Sequence, residues 1–382
     1  MPPLVLYIHW PYCASKCPYC DFNSRAAKDI DHEAWAGAYA REIEYYARLL
    51  PERRIASIYF GGGTPSLMAA ETVESVLQNI QAHWPLTDDV EITLEANPSS
   101  AEAGKFAAFR AAGVNRLSLG VQSLRDDALK FLGRAHDAES ARRALEQAAK
   151  IFPRFSFDLI YARAGQNPSD WAAELREALR FAPRHLSVYQ LTIEPGTRFH
   201  AMAEKGASLT APEDNAAVMY EMTQEILGSN GLPAYEISNH AAPGEASRHN
   251  LAYWHYADYI GIGPGAHGRL VKGGVRYATE NHREPDEWLR QVAEQGHGQR
   301  VFETLDTATA QREALMMGLR LTAGIDSAAW QAKFGILVTD FLLPEKLKRL
   351  CDEGLLIADA ANFRATAHGL QRLNAVLGYL MG

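Results

Sequence analysis

The sequence is poor in several things, and each shortage removes a class of protein. Four cysteines in 382 residues cannot form the dense disulfide framework of a small secreted fold. Nowhere does an apolar run approach the ~18 residues that a membrane-spanning helix needs. The apolar start Leu4-Val5-Leu6-Tyr7-Ile8 has no basic lead and is too short for a signal-peptide core, so it reads as a buried strand of a soluble, cytoplasmic chain. Basic residues are in deficit, 38 Lys and Arg against 46 Asp and Glu, and the formal charge of −8 offers no general attraction to a phosphate backbone. Nucleic acid is therefore not an expected partner. Gly61-Gly62-Gly63-Thr64-Pro65 lacks the Lys-Ser/Thr of a nucleotide-triphosphate loop. Low-complexity tracts are absent, and the only internal repeat is an alternation of strands and helices. With 47% hydrophobic and 22% charged residues, the chain has an ordinary globular composition and enough length for a large domain plus a smaller one.

What cysteine there is stands concentrated. Cys13, Cys17 and Cys20 fall within eight positions, and Cys351 is remote on a helical apolar face. Three thiols leave one unpaired in any disulfide scheme, so ligation explains the cluster better. His9 could complete a tetrahedral zinc site. A cubane iron-sulfur cluster, which normally takes four thiolates, explains the odd number another way: three thiolates leave one iron open for chemistry. The spacing Cys-x3-Cys-x2-Cys, with aromatic Tyr19 before the last cysteine, resembles the signature of the radical S-adenosylmethionine (SAM) superfamily. That resemblance implies a [4Fe-4S] cluster on Cys13, Cys17 and Cys20, with the methionine moiety of SAM on the open iron.

Strand-like runs at 4–8, 55–60, 90–95, 114–119, 155–160 and 185–191 alternate with helical periodicity at 69–84, 101–112, 138–151 and 170–181. Asp31 caps a helix bearing Trp35, Tyr39, Ile43 and Tyr46 at three- and four-residue spacing. Alternation of this kind predicts an α/β fold of parallel strands with helices outside, here a partial (β/α)6 barrel, which the resemblance also implies. Function gathers at the carboxyl ends of such strands. The expected organisation is a barrel over 1–230, a loop-rich haem- or substrate-side segment over 231–300, and a helical, winged-helix-like domain over 301–382.

Glu95, Gln122, Arg134 and Asp158 are polar residues at or beyond strand ends; the arginine fork suits a carboxylate and the acids suit an ammonium or ribose hydroxyls. Their order and intervals resemble the coproporphyrinogen-dehydrogenase-like branch of the superfamily across nearly the whole chain. There Tyr7, Tyr19, Gly62, Gly63, Thr64, Glu95, Gln122, Arg134 and Asp158 would line the SAM pocket. Within the branch, oxygen-independent coproporphyrinogen III dehydrogenases compete with haem chaperones. Three features favour the chaperones: Cys20-Asp21-Phe22 lacks the fourth cysteine of the dehydrogenases, the chain reaches Cys13 without their N-terminal extension, and His249-Asn250-Leu251-Ala252-Tyr253-Trp254 matches the chaperones' His-Asn-x-x-Tyr-Trp motif. The resemblance implies haem as ligand, His249 as its candidate axial ligand with His240, His255 and His267 as rivals, and apo-haemoproteins such as membrane respiratory enzymes as recipients. Contact with the membrane would be transient, and a homodimer is compatible with these features. Gly263-Pro264-Gly265-Ala266-His267-Gly268 formally fits a dinucleotide fingerprint but lacks its strand-turn-helix setting, and reads as a wall on the substrate side. Arg163 is expected as a loop charge near the barrel mouth, solvated or facing a propionate.

Overall fold

The computed structural model describes residues 3–382. Six strands alternate with helices as the periodicity requires: β1 (Leu4–Trp10), β2 (Ile55–Gly62), β3 (Leu86–Ala96), β4 (Arg116–Gln122), β5 (Arg154–Tyr161) and β6 (His185–Gln190). They lie in chain order and pair in parallel. β1 is buried at every position but Tyr7, the near-continuous apolar run expected of a strand covered on both faces.

The outer helices begin where side chains can cap them. On α1 (His32–Leu49) the Asp31 carboxylate accepts from Ala34 N at 3.0 Å. α2 spans Ala70–His83. On α3 (Ala138–Ile151) Asp137 accepts from Ser140 N at 2.7 Å, and on α4 (Pro168–Ala178) Asn167 accepts from Asp170 N at 2.9 Å. Trp35, Tyr39, Ile43 and Tyr46 form the buried stripe of α1, as their spacing predicts. The helix expected over 101–112 is broken into Ser100–Ala103 and Phe106–Ala111. α5 spans Glu213–Ser229.

The segment 231–300 is not loop-rich. It contributes β7 (Asn239–Ala241), the short α6 (Arg248–Trp254), β8 (Tyr259–Ile262), β9 (His267–Lys272), β10 (Val275–Asn281), α7 (Pro285–Gln295) and the start of β11 (Gln299–Thr304). β8 joins β1 in parallel, β9 to β11 follow antiparallel, and β7 pairs antiparallel with the far edge at β6. One eleven-stranded sheet results, in the order β11-β10-β9-β8-β1-β2-β3-β4-β5-β6-β7. Glycines and histidines concealed these strands, because short strands with φ-positive turns at Gly263, Gly265, Gly273 and Gly274 leave little periodicity.

A second hydrophobic core lies C-terminal, around Trp330, Leu350, Phe363 and Val376. Three short antiparallel strands, Ile325–Asp326, Asn362–Ala365 and Leu356–Ala358, sit with helices that include Ser327–Phe334, Pro344–Asp352 and Leu373–Met381. This mixture fits the helical, winged-helix-like expectation. Among the described residues, no helix is long and apolar enough to cross a membrane.

Candidate functional site

The strands turn polar side chains inward at every second position. Arg116, Ser118, Gly120 and Gln122 of β4 and His185, Ser187 and Tyr189 of β6 face one cavity of about 470 Å³, while Leu117, Leu119, Val121, Leu186 and Val188 pack outward. Cys13, Cys17, Cys20, Tyr19, Gly63, Thr64, Glu95, Gln122, Arg134 and Asp158 all border it, so most of the residues picked from sequence converge on one space. Tyr7, Gly62 and His249 do not border it. Tyr59, Asn97, Arg116, Ser118, His185, Ser187 and Tyr189 do, and sequence reasoning missed them. The signal for five of these was present: polar residues at alternate positions of otherwise apolar strands.

The cysteine loop is held at the mouth. Tyr12–Cys13 pairs in parallel with Arg25–Ala26, Lys16 Nζ donates to the carbonyls of Phe22 at 3.1 Å and Ser24 at 3.2 Å, and Phe199 N donates to Pro18 O at 2.9 Å. Among the described residues no three His, Cys, Asp or Glu side chains come together as a single-ion site. His9 does not complete a zinc tetrahedron with the cysteines: its Nδ1 meets Tyr7 Oη at 3.0 Å and its Nε2 meets the Asn23 carbonyl at 2.9 Å, on the inner side of the strand. The glycines at the end of β2 have a packing reason. A Cβ on Gly63 would stand 2.6 Å from the Tyr12 carbonyl oxygen, and Gly62 has φ +114. Gly63 N donates to Trp10 O at 2.6 Å and Thr64 N to Tyr12 O at 2.8 Å, so the turn braces the strand that delivers Cys13.

Arg134 links the loop to the cavity wall. Its Nη1 lies 3.4 Å from Cys17 Sγ, Nη2 donates to Gly120 O at 2.8 Å and to Asn97 Oδ1, and Nε is buried without a partner. Gln122 holds φ +67, an unfavourable left-handed backbone for a residue with a Cβ, at the carboxyl end of β4. Deeper in, Tyr59 Oη donates to Glu95 Oε1 at 2.7 Å. Burial pushes the Glu95 carboxyl up to about 7, with the Tyr59 bond opposing and Asp158 adding repulsion. Burial likewise raises Asp158 to about 6, against the pull of Ser187, Arg116 and Arg134. Two acids poised near neutrality can accept from hydroxyl or ammonium groups of a polar ligand. An open, polar cavity rimmed by three thiols, with an orphaned guanidinium N–H beside one of them, fits a cluster with a polar nucleoside ligand on it.

His249 lies elsewhere than its motif implies. It is 2% exposed at the start of α6, which closes the barrel from below. Its Nδ1 meets Ser57 Oγ at 2.8 Å, its Nε2 meets Tyr253 Oη at 3.0 Å, and its N–H donates to Glu91 Oε1 at 3.2 Å. Both ring nitrogens are engaged, so neither is free for an iron in this arrangement. His240 is 1% exposed, with both nitrogens unpartnered. Arg163 is no mouth residue: it is buried and paired with Glu174 at 3.0 Å, because the backbone at Ala162 turns it inward.

The radical SAM superfamily domain matches residues 7–178, and the HemN C-terminal domain matches residues 305–372. The fold is thus that of a radical SAM protein, a class that implies a [4Fe-4S] cluster and SAM. The chain is 41% identical over 381 residues to radical S-adenosyl methionine domain-containing protein 1, mitochondrial, of Bos taurus, covering 97% of this chain and 86% of the relative. It is 37% identical to heme chaperone HemW of Escherichia coli, covering 99% and 98%, and 34% identical to heme chaperone HemW of Bacillus subtilis, covering 98% of each. Coproporphyrinogen III oxidase (HemN) of Escherichia coli shares the fold at a TM-score of 0.82 and 24% identity, over 99% of this chain and 89% of that one. The chain belongs to the radical SAM superfamily and, within it, to the HemW-type haem-chaperone family.

Proposed function

We propose that this chain binds haem and passes it to apo-haemoproteins, holding a [4Fe-4S] cluster on Cys13, Cys17 and Cys20 and SAM in the adjoining cavity. The observation that carries the cofactor reading is the convergence of the three thiols with Thr64, Glu95, Gln122, Arg134 and Asp158 on one open polar cavity. The chaperone reading is supported by full-length similarity to two bacterial proteins named heme chaperone HemW. Position 22 supports it as well: an exposed phenylalanine stands where the dehydrogenases would carry a fourth cysteine.

When bound, the cluster and SAM together supply one-electron chemistry at the sulfonium. The protein's part is positioning. Thr64 Oγ1 accepts from Asn97, Asn97 accepts from Arg134, and Arg134 reaches Cys17, so the cavity wall and the cysteine loop move as one unit. Glu95 and Asp158 would take the ammonium and ribose hydroxyls, and the Tyr59 hydroxyl fixes Glu95 for that task. A cytoplasmic setting suits thiols that must stay reduced. Recipients would include membrane respiratory enzymes, met through transient contact.

Anaerobically reconstituted protein should be titrated with haem, and assayed with SAM, a reductant and coproporphyrinogen III for protoporphyrinogen. Saturable haem binding without turnover is the expected result. Clear formation of protoporphyrinogen would replace this reading with that of a dehydrogenase.

A further inference from the structure

Three arginines are buried: Arg53 at 2%, Arg116 at 3% and Arg163 at 6% exposure. Arg53 pairs with Asp258 at 2.9 Å and Arg163 with Glu174 at 3.0 Å. Arg116 has no ion pair among the described residues, and its hydrogen bond runs from Nη2 to the neutral Ser156 Oγ at 3.0 Å. The nearby carboxylate Glu91 is taken by Arg154 at 2.7 Å. Glu91, Glu95 and Asp158 feel its charge only at longer range, and a buried guanidinium without a direct ion pair is unfavourable unless something else meets it. Arg116 is also the one of the three that borders the cavity.

It lies next to the residues expected to hold SAM, two residues towards the start of β4 from Ser118, the register partner of Glu95, and its charge reaches Glu95 and Asp158. Gln122 and Arg116 sit at opposite ends of β4, six residues or roughly 20 Å apart, and border the same cavity. Beside Arg116, His185 is 3% exposed and its Nδ1 has no partner. Asn250 Nδ2 donates to Tyr235 Oη at 3.3 Å, and the same hydroxyl meets His185 Nε2 at 3.0 Å. Burial, together with Arg116 and Arg154, holds the His185 ring neutral, and its Nδ1 faces no partner. A guanidinium whose one hydrogen-bond partner is a neutral hydroxyl thus stands at the floor beside an unpartnered imidazole nitrogen, with the hydroxyls of Ser118 and Ser187 lining the same cavity.

We infer that the lower half of the barrel is a binding subsite for a short monocarboxylate, with Arg116 as its anchor. The planar fork of arginine matches both oxygens of a carboxylate. A single negative charge fits better than a phosphate dianion, because Glu95 and Asp158 face the same space. A hydrogen-bonding tail would meet Ser118 and Ser187. This inference is independent of the haem reading.

The test is a saturation-transfer NMR titration of propionate and lactate on the full chain, cluster-loaded and saturated with SAM, with propionamide as the neutral control. Saturable binding of the acids, at least tenfold weaker binding of the amide, and at least a tenfold loss in Arg116→Gln are expected. The acid-amide comparison needs no variant, so it decides even if Arg116→Gln fails to fold. Absence of saturable binding, equal binding of propionamide, or unchanged affinity in a folded Arg116→Gln would overturn the subsite. Propionate binding that appears in a parallel SAM-free sample but is absent from the SAM-saturated one would assign the arginine to the cofactor's own carboxylate and overturn it equally.

Discussion

The His249 ring stacks on that of Tyr59, 4.9 Å between centroids and 23° from parallel, and the Tyr59 hydroxyl donates to Glu95. A residue beneath the barrel is thereby tied to an acid inside it. His249→Ala removes a fully packed ring and its two hydrogen-bonding nitrogens, and should lower the unfolding free energy by about 2–4 kcal/mol. Because both ring nitrogens are engaged, haem affinity should stay within about twofold of wild type in the folded fraction. Denaturant titration and haem titration of the same variant check this, and a lost haem spectrum in a folded protein would restore His249 as ligand.

Tyr59→Phe isolates the other half of that link. The ring and its stacking remain, but Glu95 loses the bond that opposes its raised pKa, so more of it is protonated at pH 7. SAM binding should weaken by about tenfold at pH 7, in the range of one lost charge-assisted bond. The weakening should shrink toward pH 9, where both proteins carry the ionised acid. Equal weakening at both values would show that the hydroxyl acts otherwise.

Cys17→Ser should abolish cluster loading while leaving the fold intact. The Cys17 sulfur has only long contacts, 3.4 Å to Arg134 and 4.0 Å from the Gly133 carbonyl, so the change should cost under about 1 kcal/mol of stability. Iron content and the cluster's visible absorption, read beside a melting curve, separate the two effects. Full iron content in the variant would remove Cys17 from the ligand set.

How much of this was legible depended on the kind of constraint. Strand-helix alternation is local, so β1 to β6 and the cap at Asp31 could be read from the chain. The cysteine spacing carried the class. Polar alternation in Arg116-x-Ser118 and His185-x-Ser187-x-Tyr189 was equally visible but lacked a motif to draw attention to it. What sequence could not carry was long-range pairing. β8 sits beside β1 although some 250 residues lie between them, and the motif at His249 turned out to plug the barrel because its partners Ser57 and Glu91 come from β2 and β3.

Glu95 gives a pH dependence with a definite sign. Its folded pKa of about 7 exceeds the ordinary value of 4.5, so the folded state binds more protons and stability falls as pH rises between those values. Glu95→Gln cannot ionise and still offers an oxygen to Tyr59. Its advantage over wild type should be absent below about pH 4.5 and grow to about 1–3 kcal/mol above pH 7, measured without ligands. An advantage that does not change with pH would mean that Glu95 ionises freely.

Ala162 holds φ +58 just after β5, in the left-handed region that is unfavourable for a residue with a Cβ. The Arg163–Glu174 pair holds the turn from the other side, with Glu174 Oε1 also accepting from Leu124 N at 2.8 Å. Ala162→Gly relieves the backbone but frees the unfolded chain, so the net gain should be about 0.5–1 kcal/mol. A loss of stability on thermal melting would show that the methyl's packing outweighs the strain.

Glu42 shows what fastens the added strands to the barrel. It projects from α1, fully buried, and accepts from Gly263 N at 2.8 Å, Gly298 N at 2.7 Å, Asn281 Nδ2 at 3.1 Å and Trp288 Nε1 at 3.1 Å. All four donors come from the region 259–299, and none is a cation, so one carboxylate satisfies a turn, a strand end, a helix and a loop together. Glu42→Ala strands these donors away from water and should cost about 3–5 kcal/mol, more than the loss of one ordinary hydrogen bond. The damage should be regional: amide exchange should rise first in β8 to β11 and α7, while β2 to β5 stay protected. Uniform loss of protection across the sheet would mean that the added strands and the barrel unfold as one unit, and that Glu42 serves both equally.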